Sequence, residues 1–309
     1  MNRLVLVDGN AILHRAYHAL PPLTAPDGSV VNAVYGFGTM LLRLIGDLKP
    51  THVAVAFDRP KPTFRKELFA GYQAKRPKMD EELVDQIPKV HALVESFDIP
   101  IFEKDGFEAD DVIGTLANEA KKRGIDQVII VTGDRDILQL VRDEKVLVYM
   151  PTKGLSEAKL YGEKEVNERM GVAPKKIPDF KALAGDPSDN YPGVPGVGPK
   201  TAASLLAQFG SLDGIYKNIK KVSSAAKLEA GRESAFLGKD LATIRTNVPL
   251  EGSLKPLGSF NRPEAIRELT KLGFRSFLKR ITGEVSQEKE AKKEQKKDTK
   301  PNSQQQELF

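Results

Sequence analysis

Three short apolar runs each close on an aspartate: Leu4-Val-Leu-Val-Asp8, Val53-Ala-Val-Ala-Phe-Asp58 and Val128-Ile-Ile-Val-Thr-Gly-Asp134. Runs of this length, rich in Val and Ile and without polar alternation, read as strands buried on both faces of a parallel sheet. In open α/β sheets, ligands gather beyond the carboxyl ends of the strands. The pattern therefore predicts that three carboxylates from distant parts of the chain meet on one rim. Glu108, Asp110, Asp111, Asp136, Asp186 and Asp189 stand in segments able to join them, which makes nine acids. Like charges packed together repel, and desolvated acids take up protons, unless a cation sits among them. Divalent metal is the expected cation.

Between the runs lie helical patterns, over Asn10 to Leu20, over Tyr35 to Leu48 (Phe37, Met40, Leu41, Leu44, Ile45 and Leu48 at helical spacing), and over Asp110 to Arg123. Val146 to Met150 is a further strand, and a helix is expected to begin near Asp136. Strands alternating with helices predict a doubly wound, mostly parallel α/β sheet over residues 1–171. Residues 60–90 depart from it: Lys61, Arg65, Lys66, Lys75, Arg76, Lys78 and Lys89 dominate, with Phe64, Phe69 and Tyr72 between them. That is too basic for an ordinary crossover helix. From Val172 the strand signal fades and short helices separated by Pro and Gly take over, with a last amphipathic stretch over 261–281 carrying Ile266, Leu269, Leu272, Phe274 and Phe277. The expected division is 1–171, then a small all-helical domain over 172–282, then a tail over 283–309. The tail is nearly all Lys, Glu, Gln, Asn and Ser, and is expected to be disordered.

The chain has no cysteine, which excludes disulfides, zinc–thiolate sites and thiol catalysis. It opens without a basic-then-apolar leader and has no apolar run near the ~20 residues of a membrane span. A cytoplasmic monomer away from membranes is the expectation. The net charge of +5 is mild, but with nine acids drawn to one place the remaining surface is more basic than the total suggests. Such a surface suits an enzyme that holds a polyanion by its backbone.

Phosphodiester cleavage needs an activated water, a sink for charge on phosphorus and a stabilised leaving oxygen, and two divalent ions ~4 Å apart supply all three. Mg²⁺ prefers oxygen ligands, which acids provide; His14, His18, His52 and His91 show no metal-ligand spacing. Asp134-Arg-Asp136 has the Asp-x-Asp form of aspartyl-phosphate phosphatases, but those carry it on the first strand, which here ends Asp8-Gly9-Asn10. The segment Tyr191-Pro-Gly-Val-Pro-Gly196-Val-Gly198-Pro-Lys200-Thr-Ala202 precedes a helix. Its glycines allow close backbone approach to a phosphate, and the helix N-terminus and Lys200 add positive potential. This is the pattern of a helix–hairpin–helix that grips a nucleic-acid backbone without reading sequence, with Gly193, Gly196, Gly198, Lys200 and Thr201 as its DNA-binding residues. A dinucleotide fingerprint fails here, because the third glycine is absent, Pro199 intervenes and no strand precedes.

Asp8-Gly-Asn, Ala56-Phe-Asp58, Gly106-Phe-Glu-Ala-Asp-Asp111, Thr132-Gly-Asp-Arg-Asp136 and Gly185-Asp-Pro-Ser-Asp-Asn190, followed by the glycine hairpin, together resemble the bacterial 5′-nuclease family. That family comprises the 5′→3′ exonuclease domain of DNA polymerase I and relatives of flap endonucleases. The resemblance spans residues 1 to about 280. It implies a Mg²⁺- or Mn²⁺-dependent 5′→3′ exonuclease and 5′-flap endonuclease acting on DNA in replication and repair. It implies a first ion held by Asp8, Asp58, Glu108 and Asp110, partly through water. A second ion would be held or supported by Asp111, Asp134, Asp136, Asp186 and Asp189, with Asp110 between the two. Residues 60–90 would form a helical arch around a 5′ single strand, where Arg15, Tyr72, Lys75 and Arg76 act beside the scissile phosphate and Arg65 binds DNA. The hairpin carbonyls would bind K⁺. Many relatives carry lysine after the tyrosine that Tyr72 matches, and this chain has Gln73, which leaves a DNA-binding scaffold with weak turnover as the competing reading. A related RNA-directed nuclease is a third. The chain closes on Gln305-Gln-Glu-Leu-Phe309, which resembles the pentapeptide that docks bacterial proteins on the sliding clamp, with Gln305, Leu308 and Phe309 as its contacts.

Overall fold

A computed structural model describes residues 1–153 and 157–283. The tail with Gln305, Leu308 and Phe309 lies outside the described residues. Six strands build one sheet: β1 (Arg3–Asp8), β2 (His52–Ala56), β3 (Ile101–Phe102), β4 (Gln127–Val131), β5 (Val146–Lys153) and β6 (Glu157–Tyr161), in the order β3-β2-β1-β4-β5-β6. All neighbours are parallel except β5 and β6, which are antiparallel. Side chains alternate across the sheet. Leu4 and Leu6 share one core with Ala54, Ala56, Val128 and Ile130, while Val5 and Val7 share another with Val53, Val55, Ile129 and Val131. Both faces are buried, which is why these runs show no polar alternation.

One face carries α1 (Gly9–Ala19), α2 (Asn32–Leu48) and, after the short α3 (Phe64–Leu68) and α4 (Glu81–Val84), α5 (Ile87–Ser96). The other carries α6 (Ala109–Glu119) and, beyond α7 (Glu163–Met170), the helices α8 (Ile177–Ala184) and α9 (Pro199–Phe209). A two-stranded ribbon, β7 (Gly185–Asp186) with β8 (Tyr191–Pro192), joins α8 to the hairpin before α9. Helices α10 (Leu212–Lys217), α11 (Ala225–Ala230) and α12 (Arg232–Ala242) complete the helical part. The chain runs outward from β1 to β3, then returns to β4 on the other side of β1. That reversal opens a crevice between the carboxyl ends of β1 and β4.

Residues 172–282 were expected as one helical unit, and the structure differs at its end. Leu257 N–H donates to Thr51 O at 2.8 Å, bringing the chain back to the sheet. The amphipathic stretch then forms two helices, α13 (Pro263–Lys271) and α14 (Arg275–Thr282), parted at Gly273, whose φ of +73° suits glycine. Ala265, Leu269, Leu272, Phe274 and Phe277 pack into the core of α2 and α5. Phe277 lies so close to α2 that a Cβ on Gly38 would meet its ring at 2.7 Å. No helix among the described residues is long and apolar enough to cross a membrane.

Candidate metal centre and nucleic-acid interface

The rim forms because its acids also fasten the elements that carry them. Asp8, at the last position of β1, caps α1 by accepting from Ala11 N–H at 3.0 Å, and its other oxygen accepts from the Thr132 hydroxyl at 2.6 Å. Asp58 follows β2 by two residues and accepts from Ala109 N–H, at the start of α6, at 2.7 Å. Its own N–H donates to Asn10 Oδ1 at 3.0 Å. Glu108 is the N-cap of α6, and Asp111 closes the capping box on its N–H at 3.1 Å. Beyond β4, Asp136 N–H donates to Asp134 Oδ1 at 2.8 Å. Asp186, on β7, accepts from Ser188 N–H at 2.9 Å.

Burial and mutual repulsion set the charge state. Burial, with Asp58 and Asp134 adding to it, lifts Asp8 to about 7 against the hydrogen bonds from Ala11 and Thr132. Burial also lifts Glu108 to about 7, opposed by Arg65. Asp110 is raised well above its ordinary value by burial and by Asp134, Asp8 and Glu108, and Asp58 is raised by burial. Asp136 rises to about 7 through burial, although Lys181 opposes it. Burial raises Asp189, helped by Asp186. Asp186 moves the other way: burial would raise it, but Lys181 and Ser188 together hold it below the ordinary value.

Two groups emerge. Oxygens of Asp136, Asp186 and Asp189 lie within 4.8 Å of one another. Asp8, Asp58, Glu108 and Asp110 surround the ends of β1, β2 and α6. Asp134 was expected with the second group, yet its charge acts on Asp8 and Asp110 as well as on Asp136, which puts it at the boundary.

Asp111 and Arg65 require correction. Asp111 is fully buried, and both its oxygens accept from the Arg65 guanidinium, at 2.7 and 2.9 Å. Arg65 is itself 2% exposed, also pairs with Glu108 at 3.2 Å, and donates to Leu241 O at 2.8 Å. Glu108 N–H at 3.1 Å and Arg245 N–H at 2.7 Å donate to the same two oxygens, so the four acceptor sites of Asp111 are filled and none is left for an ion. Asp111 is a positioning residue for Glu108, and Arg65 ties α3 to α6 and α12 instead of facing DNA.

Helix in the 60–90 segment is confined to α3, α4 and the first residues of α5, and the turn between α3 and α4 lies on the acids. Tyr72 is 3% exposed, with its hydroxyl 3.3 Å from both Glu108 and Asp189, so its ring is covered in this state rather than open to a nucleotide. Gln73, held at a φ of +53°, donates from Nε2 to Asp189 Oδ1 at 3.0 Å and from its N–H to Asp189 O at 2.8 Å. Arg76 reaches Asp189 at 3.5 Å with 56% of its side chain exposed, a weakly held pair, and Lys75 is exposed. Arg15 lies half-buried on α1.

In the hairpin, Gly196 has a φ of +78° with the Lys227 ammonium 3.2 Å from where a Cβ would stand, and Gly198 has open space at that position, so backbone approach is free at Gly198. Lys200 and Thr201 line an open groove of about 420 Å³ with Ser204, Gln208, Lys221 and Ser224. Gly193 differs: a Cβ there would meet Gly185 N and Leu183 O at 2.3 Å. Its role is the packing of β8 on the end of α8, not phosphate contact.

Lys181 is the residue that sequence reading missed. Its ammonium contacts both Asp136 and Asp186, and although burial opposes the charged form, those two carboxylates raise its pKa above the ordinary value. A lysine in a helix 45 positions from one partner carries no local signal.

An acid-lined crevice at the reversal point of a parallel sheet, beside a helical unit with a glycine hairpin, defines the class of α/β fold. Residues 3–171 match the model of the 5′–3′ exonuclease N-terminal resolvase-like domain, and residues 172–264 that of the 5′–3′ exonuclease C-terminal SAM fold. The chain belongs to the 5′–3′ exonuclease family, a family of nucleases. It is 44% identical over 293 residues to DNA polymerase I of Bacillus subtilis (strain 168), covering 93% of this chain and 33% of that protein. With DNA polymerase I of Caldicellulosiruptor bescii it is 44% identical over 284 residues, covering 90% and 33%. The chain thus spans about a third of the length of these curated relatives. In fold it is similar to the bacteriophage T5 5′-exonuclease solved with zinc ions, with a TM-score of 0.65 at 21% identity over 93% of this chain and 99% of that one. A T5 flap endonuclease complex with DNA and metal ions gives 0.68 at 20% identity over 93% and 98%.

Proposed function

We propose that this chain hydrolyses DNA phosphodiesters at or near a 5′ end, as a 5′→3′ exonuclease and 5′-flap endonuclease working with two divalent ions, Mg²⁺ or Mn²⁺. One observation carries the reading: buried carboxylates converge on a single rim, and their burial and repulsion hold Asp8, Glu108 and Asp136 near 7. Such a set is at ease when ionised only around cations. The donors are all carboxylate oxygens, which suits a hard divalent ion.

On this reading Asp8, Asp58, Glu108 and Asp110 hold one ion, and Asp136, Asp186 and Asp189 the other, with Asp134 between. The bound ions supply an activated nucleophile, a charge sink and a stabilised leaving oxygen. The chain's own residues bind and orient. Arg65 and Asp111 fix the start of α6, so that Glu108 and Asp110 keep their places. Lys75 and Arg76 meet phosphate charge beside the rim. The hairpin from Gly196 to Thr201 holds the duplex backbone, with K⁺ at its carbonyls, so binding weakens steeply with salt. Work in replication and repair, a cytoplasmic setting, and docking of Gln305, Leu308 and Phe309 on the sliding clamp belong to the same proposal.

The test is cleavage of a 5′-labelled flap on nicked duplex DNA, with Mg²⁺ and with EDTA. Metal-dependent products cut near the junction, lost in Asp134→Ala while DNA binding survives, are the expected result. Tight flap binding without cleavage in Mg²⁺ or Mn²⁺ would turn the reading to a scaffold.

A further inference from the structure

Lys181 lies in the last turn of α8, and Asp186 follows on β7. The lysine side chain is 13% exposed, Asp136 14% and Asp186 7%. The ammonium donates to one oxygen of each acid. Among the described residues, Asp136, Asp186 and Asp189 are the three acids whose oxygens gather closely enough to hold an ion together. The group best shaped to take a cation therefore already contains one.

An ammonium and a divalent ion ask for the same oxygens. Mg²⁺ sits about 2.1 Å from each oxygen ligand and demands near-octahedral geometry. An ammonium that bridges Asp136 and Asp186 fills the space between them. In water an ammonium is strongly hydrated, and here carboxylate oxygens replace that shell. This exchange also explains why the pair can pack at such low exposure.

Building on the two-ion reading above, we propose that Lys181 is the resident counter-cation of the second group, and that a divalent ion takes this place only as the lysine withdraws. The two ions then bind unequally. In the first group only Glu108 pairs with a cation, Arg65, which Asp111 already holds, whereas in the second one ammonium bridges two of the three acids and must give up both before metal enters. Lys181 is a positioning residue in this scheme: it keeps Asp136 and Asp186 together and offsets one of their two charges until metal arrives.

The test needs no turnover. The full chain, free of DNA, is titrated with Mn²⁺ by calorimetry, as wild type, Lys181→Gln and Lys181→Met. Removing a unit charge held against the ligands should tighten the weaker ion at least about tenfold in both variants and leave the tighter ion unchanged. Glutamine retains a donor for the acids and methionine retains the stem, so each variant controls for the other's fold. In parallel, ¹⁵N-lysine NMR follows the ammonium resonance that is absent from Lys181→Gln. That resonance should shift or vanish in step with the second equivalent of Mg²⁺. Unchanged or weaker Mn²⁺ binding in both variants, or a resonance that stays in place while the second ion binds, would overturn the proposal. Failure of the two-ion reading looks different: wild type and both variants would take up at most one ion, and Asp186→Asn would alter nothing, ending the inference with it.

Discussion

Asp8→Asn should make the metal-free protein more stable at pH 8, although it removes a residue assigned to the first ion. An aspartate ordinarily titrates at 3.8, and burial carries Asp8 to about 7 in the fold. Ionising it in the folded state therefore costs about 4 kcal/mol. The sign follows from the raised value. Below 3.8 the group is protonated in both states and the penalty is absent; it grows as pH rises toward 7 and stays constant above. The amide keeps the acceptor for Ala11 N–H and loses the short bond from Thr132, worth about 1 kcal/mol. Because Asp8 shares its repulsion with Asp58, whose own carboxyl is raised by burial, part of the gain is lost to the coupling between them. The net expectation is a gain of about 2–3 kcal/mol at pH 8 and a loss of about 1 kcal/mol at pH 4. Urea unfolding in EDTA, followed by far-UV circular dichroism at both pH values, measures this. A variant no more stable than wild type at pH 8 would refute the claim that the rim is strained by its own charge. With saturating Mg²⁺ the ranking should reverse, because the ion then stabilises the wild-type rim more than one that lacks the Asp8 carboxylate.

Arg65→Met should cost 3–5 kcal/mol by the same assay at pH 7, because it strands the buried Asp111 carboxylate. The double variant Arg65→Met/Asp111→Leu should recover much of that loss. Phe277→Ala should cost about 3–5 kcal/mol and increase hydrogen exchange in α2 and α5, since its ring fills the seam between them and α14; unchanged exchange there would contradict the docking. Gln73→Lys should loosen the 69–76 turn or pair it more firmly with Asp189, and flap-cleavage kcat against KM separates the cases. A change of less than twofold in both would mean that position 73 does not act on the site.

The strands and their terminal aspartates were legible because a parallel sheet needs continuous apolar runs, and because chain reversal directs their ends to one crevice. Long-range pairing was not. Arg65 sits in a run of surface lysines and reads as one of them, yet its partner is 46 residues away and buried. Lys181 meets Asp136 only through the packing of α8 beneath the rim. Gly193 resembles its hairpin neighbours in sequence, while its constraint comes from Gly185 across the ribbon. The amphipathic 261–281 stretch declared that it would pack somewhere, but its period carries no address, and the groove it fills belongs to α2 and α5.

The separation of Asp8 from Asp186 and Asp189 along the chain has a consequence for biosynthesis. The first carboxylates leave the ribosome with the first strand, and all strands of the large sheet have been made once β6 follows. The rim stays incomplete until the ribbon after α8 has been made. Arg65 cannot reach its acceptor on Leu241 before α12 exists, and α13 and α14 are later still in covering α2 and α5. A nascent chain therefore passes through a stage with the strands made and only part of the acidic rim in place. Any cutting power waits until the ribbon after α8 has been made.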